Sequence, residues 1–182
     1  MNKNLKINNI SLSATPSKWI KNNLSKNIKD QTLLDIACGN GRHSIYAASL
    51  GYKVISLDIN KEKIYKLNSN KLIFPIQIDI EKSNAWPFTN KVFNTIIVTN
   101  YLYRPIFQNI INSIKLGGTL LYETFSIENS NFGKPNNPNY LLKPQELLKL
   151  AKKNNLEIVN YEEIIIQQPI KKALQRIHAI IK

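Results

Sequence analysis

At 182 residues and 43% apolar content, the chain suffices for one domain with a real hydrophobic core and is too apolar to be disordered. No apolar run approaches the roughly 18 residues of a membrane helix. One cysteine (Cys38) excludes an internal disulfide, and two distant histidines (His43, His178) leave no ligand set for a structural zinc, so no metal is expected.

The net charge of +13 rests on 22 Lys and only three Arg. Lys, Asn and Ile, all read from AT-rich codons, fill 75 of the 182 positions, so codon bias accounts for the excess. A functional basic surface stays open as the alternative, although Arg is the residue suited to bidentate phosphate contacts. The N-terminus lacks the apolar core of a signal peptide. It has no acid before Asp30, as transit peptides do, but it has no Arg and leads into a Trp-containing helical pattern. A cytoplasmic protein is the expectation.

In chain order, residues 1–15 read as flexible. Residues 16–28 read as an amphipathic helix, capped by Thr15, opened by Pro16 and carrying Ile20, Leu24 and Ile28 on one face. A strand over 32–37 runs through Cys38-Gly39-Asn40-Gly41 into a helix over 42–50, which Gly51 ends. A strand over 53–59, a charged helix over 61–68, and strands over 74–80 and 92–99 follow. After Pro105 a helix runs to about 116, stopped by Gly117-Gly118, and a strand covers 119–125. Residues 126–140 have no hydrophobic period and read as a long loop. A helix from 144 to 154 precedes strands over 156–166 and 174–181, whose connection is too short for a crossover, so that pair is antiparallel. The whole is one α/β domain, 1–182: a seven-stranded, mostly parallel sheet with an antiparallel C-terminal hairpin and helices on both faces.

The strongest local signal is Asp35-Ile36-Ala37-Cys38-Gly39-Asn40-Gly41-Arg42. Gly39 and Gly41 permit a tight turn and close backbone approach, and the following helix N-terminus offers free N–H groups. Asp58, at the end of the second strand, is placed to accept from ribose hydroxyls. The third position of a nicotinamide fingerprint is Ser44, no Tyr-x-x-x-Lys pair occurs, and no P-loop is present. A carboxylate at Asp35 suits a ligand carrying positive charge, as S-adenosyl-L-methionine does.

This stretch resembles motif I of the class I S-adenosylmethionine-dependent methyltransferases, closest to the small bacterial tellurite-resistance type, with Ala37 where the first glycine of the superfamily pattern stands. The resemblance continues through Asp58, Asp79, Trp86-Pro87-Phe88, Val98-Thr99-Asn100-Tyr101-Leu102, Leu116-Gly117-Gly118, Tyr122-Glu123-Thr124-Phe125 and Phe132-Gly133-Lys134-Pro135. It implies a Rossmann-like fold with S-adenosyl-L-methionine as cofactor. It further implies that Asp35 orients the loop and the methionine end, with Ala37, Cys38, Gly39 and Gly41 beneath it. Asp58 takes the ribose, Asp79 the adenine amino group, Ile59 and Ile80 flank the ring, and Asn100 approaches the methionine moiety. Arg42 either pairs the cofactor carboxylate or faces solvent.

Methyl transfer from a sulfonium is a direct displacement, so alignment and exclusion of water matter more than a base. Substrate residues belong at the C-terminal ends of the strands. Asn100, Tyr101, Tyr103 and Arg104 are candidates for a planar or anionic acceptor, the alternative being that the tyrosines pack and Arg104 is solvated. The prolines of an Asn-Pro-Pro-Tyr motif are missing, so nitrogen specificity does not carry over. Glu123 is a candidate base or amine holder, or a structural hydrogen-bonding group. Trp19 either closes the pocket or packs, and His178 is structural. The loop over 126–140, with Phe132, Tyr140, Gly133, Pro135 and Pro138, is expected to be a substrate lid. Three functions stay open: a small-molecule methyltransferase, an RNA or protein methyltransferase using the Lys-rich face, and an inactive cofactor-binding subunit.

Overall fold

The computed structural model describes residues 15–26, 28 and 30–182. Five strands run parallel: β1 Thr32–Ile36, β2 Lys53–Asp58, β3 Ile73–Gln77, β4 Phe93–Thr99 and β5 Ile114–Phe125. Two more, β6 Glu157–Ile166 and β7 Lys172–Ile180, complete one sheet in the order β3-β2-β1-β4-β5-β7-β6, with β7 antiparallel to both its neighbours. The central strands are near-continuous apolar runs because both faces of the sheet are covered. On one face α1 Lys18–Asn23, α2 Arg42–Ser49 and α3 Lys61–Tyr65 bury Trp19, Ile20, Ala47 and Ile64 against Leu33, Val54, Ile97 and Leu121. On the other, α4 Phe107–Ser113 and α5 Glu146–Lys153 bury Ile110, Leu147 and Ala151 against Leu34, Ile96, Leu120 and Ile177.

The chain winds outward from β1 to β3 and then back across to β4, so β1 and β4 are paired but their following loops diverge. That switch point opens a crevice beyond the strand ends, the usual ligand position in open α/β sheets.

Three boundaries differ from the sequence reading, for tertiary reasons. The first helix is short: Leu24 is already extended, because its side chain is needed in the core beside Ile20. The helix after Pro105 stops at Ser113, and Gly117-Gly118 does not end it. Ile114 pairs with Phe93, and β5 bends through the glycines, where a Cβ on Gly118 would lie 2.8 Å from the Lys115 carbonyl. The strand expected over 74–80 ends at Gln77 on the sheet edge. The expectation of a flexible segment over 1–15 falls, up to residue 14, outside the described residues.

The loop over 126–140 is not structureless. Two 3₁₀ turns, Ile127–Asn131 and Pro138–Tyr140, shape it. Asn129, 1% exposed, pins it from within: its Nδ2 donates to the Pro135 carbonyl at 2.9 Å and its Oδ1 accepts from the Ala173 N–H at 3.1 Å. Phe132 is half-buried beneath the Lys171 ammonium, 4.5 Å from the ring centre.

Candidate active site

Three adjoining cavities form one cleft along the C-terminal edge of the sheet. The first, about 350 Å³, is lined by Ala37, Asp58, Ile59, Asp79, Ile80 and Tyr101 among others. The second, about 300 Å³, meets it at Ala37 and continues past Cys38, Gly39, Asn40, Arg42, Lys63, Thr99 and Asn100. The third, about 360 Å³, shares Tyr101 and Glu81 with the first and Asn100 with the second, and is walled by Leu102, Phe125, Pro135 and Tyr140.

Local backbone shape builds the first two. Ala37 and Asn100, the residues after β1 and β4, both take left-handed backbone, φ 53° and 54°. Such a conformation costs a non-glycine residue on the order of 1 kcal/mol, and strain of this kind gathers at functional sites. Gly41 also has positive φ, and a Cβ there would meet the Leu67 side chain at 2.4 Å, so glycine suits both the backbone and the close approach to the turn after α3. Asp58 organises the turn: Oδ2 accepts from the Gly39 N–H at 2.7 Å and Oδ1 from the Asn60 N–H at 2.8 Å. Each oxygen keeps acceptor capacity toward the cleft. Asp79 shapes the next turn by accepting from the Glu81 N–H at 3.1 Å, and Ile59, 62% exposed, projects beside it.

Asp35 departs from its expected place. It has no exposed surface. Its Oδ2 accepts from the Ser44 hydroxyl at 2.6 Å, itself bonded by the Ser56 hydroxyl at 2.8 Å, and Oδ1 has no partner. Burial raises its pKa to about 6, against the Ser44 hydrogen bonds and the Arg42 charge. Asp35 therefore anchors α2 to the sheet, while the loop-orienting role falls to Asp58.

Two acceptor candidates are committed elsewhere. Arg104 makes a bidentate pair with Glu146, 2.6 and 2.9 Å, and donates to the Asn139 and Leu141 carbonyls, tying the loop to α5. Glu123, 2% exposed, accepts from Arg176 Nε at 2.6 Å and from the Ser17 hydroxyl at 3.1 Å. It is sealed under the N-terminal segment and carries no free face for an amine. Tyr101 and Asn100 do border the cleft. The Tyr101 hydroxyl donates to Glu81 at 3.1 Å, and burial with that carboxylate pushes its pKa far up, so it stays neutral. Tyr103 donates to the Glu81 carbonyl. Trp19 packs in the core, and His178 meets Asn23 at the opposite end of the sheet. The Cys38 thiol, at the cleft wall, is pushed up by burial and stays protonated.

Residues 4–167 match the family described as "Tellurite resistance protein TehB". The chain belongs to this family. It is 32% identical over 96 residues to the "Probable S-adenosyl-L-methionine-dependent methyltransferase TehB" of Haemophilus influenzae, a match covering 50% of this chain and 33% of that protein. The crystal structure of TehB from the same organism superposes with a TM-score of 0.69 at 26% identity, over 85% of this chain and 59% of that one. An S-adenosylmethionine-dependent methyltransferase from Mesorhizobium loti shares the fold, with a TM-score of 0.71 at 12% identity over 89% and 95% of the two chains. The chain thus spans about 33% of the length of its TehB relative. Its fold is the Rossmann-like one on which these proteins are built, and the cofactor is the S-adenosyl-L-methionine for which its TehB relative is named.

The cleft of this TehB-family chain fits such a cofactor on its own geometry: paired acceptors at Asp58, an exposed aliphatic wall at Ile59, and cations at Arg42 and Lys63 at the far end. Sequence reasoning missed four residues beside it. Ser17, His43, Thr99 and Arg176 join α1, α2, β4 and β7 behind the cleft through hydrogen bonds across 26 to 106 residues of sequence. No local pattern marks such pairs; the only hint was His43 beside the Gly-x-Gly-Arg turn. Among the described residues no cluster of three or more His, Cys, Asp or Glu could hold a metal, and no helix is long and apolar enough to cross a membrane.

Proposed function

We propose that this chain is an S-adenosylmethionine-dependent methyltransferase acting on a small-molecule acceptor. The observation that carries the reading is the continuity of the three cavities: the adenosine-sized slot, the cationic pocket and the aromatic pocket meet at Ala37, Tyr101 and Asn100. When bound, the cofactor supplies a methyl group on a cationic sulfur that departs as a neutral thioether. Asp58 holds the ribose hydroxyls with its remaining lone pairs, Asp79 receives the adenine amino group, and Ile59 and Ile80 cover the ring. Arg42 and Lys63 hold the carboxylate end. The acceptor occupies the pocket of Leu102, Phe125, Pro135 and Tyr140, and Asn100 stands between the two ligands. These walls position and keep water out, which is what a direct displacement needs.

Two features favour a small acceptor over RNA or protein. Among the described residues Lys63 is the one lysine lining the three cavities, so the walls that would meet an acceptor are not lysine-rich. The acceptor pocket is also roofed by a loop that Asn129 and Arg104 pin in place. The test is transfer of labelled methyl into cell extract separated into small-molecule, RNA and protein fractions. Label in the small-molecule fraction alone supports the reading. Label confined to RNA or protein, or no label from a chain that binds the cofactor, overturns it.

A further inference from the structure

The Ser17 backbone N–H points at His43 Nε2, 3.2 Å away. An N–H can only donate, so Nε2 must present its lone pair, and the neutral ring carries its proton on Nδ1. Nδ1 lies 3.2 Å from Thr99 Oγ1 and is then the donor of that bond. His43 is 1% exposed and burial, then Arg42, pushes its pKa down to about 3, so the ring does not gain a second proton near neutrality.

The direction of each bond is therefore set from the N-terminal segment inward. Thr99 Oγ1 accepts from His43 and must send its own proton elsewhere. It makes no other side-chain hydrogen bond among the described residues. Thr99 lines the cavity that also holds Arg42 and Lys63, so the group that meets its O–H there is an anion or another acceptor.

We propose that Ser17, His43 and Thr99 form a one-way hydrogen-bond relay that fixes the Thr99 hydroxyl as a donor to the cofactor's carboxylate. Docking of the N-terminal segment thereby becomes part of cofactor binding. The inference rests on the reading of the cleft as the S-adenosylmethionine site. Thr99 is a binding residue, and His43 and Ser17 are positioning residues that act through it. The arrangement also accounts for a neutral, buried histidine two residues past Gly41.

The test is calorimetric, with two probes sharing the adenosine half: S-adenosylhomocysteine, which carries the amino-acid arm, and methylthioadenosine, which lacks it. A hydrogen bond to a charged group predicts a loss of about tenfold or more in S-adenosylhomocysteine affinity for Thr99→Val. Methylthioadenosine affinity stays the same, and Thr99→Ser retains native affinity for S-adenosylhomocysteine. His43→Phe loses affinity in the same probe-selective way, and nitrogen NMR of the native protein shows the His43 proton on Nδ1. Equal loss of both probes in Thr99→Val means packing and overturns the relay, as does a His43 proton found on Nε2. A native protein that binds neither probe overturns the site reading itself. Should Thr99→Val fail to fold, the histidine tautomer and the Thr99→Ser and His43→Phe pair still decide.

Discussion

The adenosine side and the acceptor side of the cleft are built by different means. On the adenosine side each polar group sits where a strand ends, and its partners lie within 19 residues: Asp58 holds Gly39 and Asn60, and Asp79 holds Glu81. On the acceptor side the polar groups that local sequence singles out are consumed by distant partners, Arg104 by Glu146 and Glu123 by Arg176 and Ser17. A strand-end carboxylate is positioned by its own turn and stays open to a ligand. A charge in the sheet such as Glu123 must be paired as the layers close over it, because an unpaired buried charge is costly. The difference teaches that the surroundings of a strand-end carboxylate are set locally, whereas those of Arg104 and Glu123 are set by distant elements.

The sharpest way to break this comparison is at Glu123. Glu123→Ala leaves Arg176 poorly paired under the N-terminal segment, and breaking such a buried pair costs about 3–5 kcal/mol. Urea denaturation checks it; a variant of native stability with altered turnover would return Glu123 to the acceptor site.

Asp35 gives the next largest effect. Its folded pKa of about 6 lies above the ordinary 3.8, so the fold favours the protonated acid. Its stabilising contribution is complete below pH 3.8 and is lost as pH rises through about 6. The loss is on the order of 3 kcal/mol at most. Measured against Asp35→Asn, the native protein therefore loses relative stability across that window. A constant difference would place Asp35 outside the pH response.

On the adenosine side, Asp58→Ala is expected to weaken S-adenosylhomocysteine binding by about 1–3 kcal/mol, the range for hydrogen bonds to a charged group. Titration calorimetry on the folded variant reads it, and an unchanged constant would remove Asp58 from the ribose.

Phe132→Ala should have the smallest effect, about 1 kcal/mol or less of stability, because the ring is half-buried and its cation–π partner Lys171 is exposed. Thermal melting and steady-state turnover together distinguish packing from lid action: a large fall in turnover at native stability would favour a moving lid.

Much of the fold was legible because parallel strands buried on both faces are apolar runs separated by turn residues. Leu33-Leu34-Asp35-Ile36 and Ile96-Ile97-Val98 could hardly read otherwise. The antiparallel end of the sheet followed from the short link before β7. What failed locally failed for a nameable reason. Gly117-Gly118 has the signature of a helix stop, yet it bends a strand, because the pairing of Ile114 with Phe93 outweighs local propensity. The Asn- and Pro-rich loop looked unstructured because its organiser, Asn129, works through a backbone N–H contributed by β7, 44 residues on.

By itself the sequence determined the α/β alternation, the glycine turn, Asp58 at the end of β2 and Asp79 just past the end of β3. All of these depend on residues close together in the chain, where backbone stereochemistry and turn chemistry decide. Only the tertiary structure decided which acids line the cleft and which are buried in the core. Asp35 and Asp58 look equivalent along the chain. One ends beneath α2 with Ser44 on its oxygen, the other at the open strand end with Gly39. The same holds for Glu123, Arg104 and the Ser17–His43–Thr99 line. Their partners arrive from other elements, and a side chain's exposure is set by what packs over it, which no local pattern encodes.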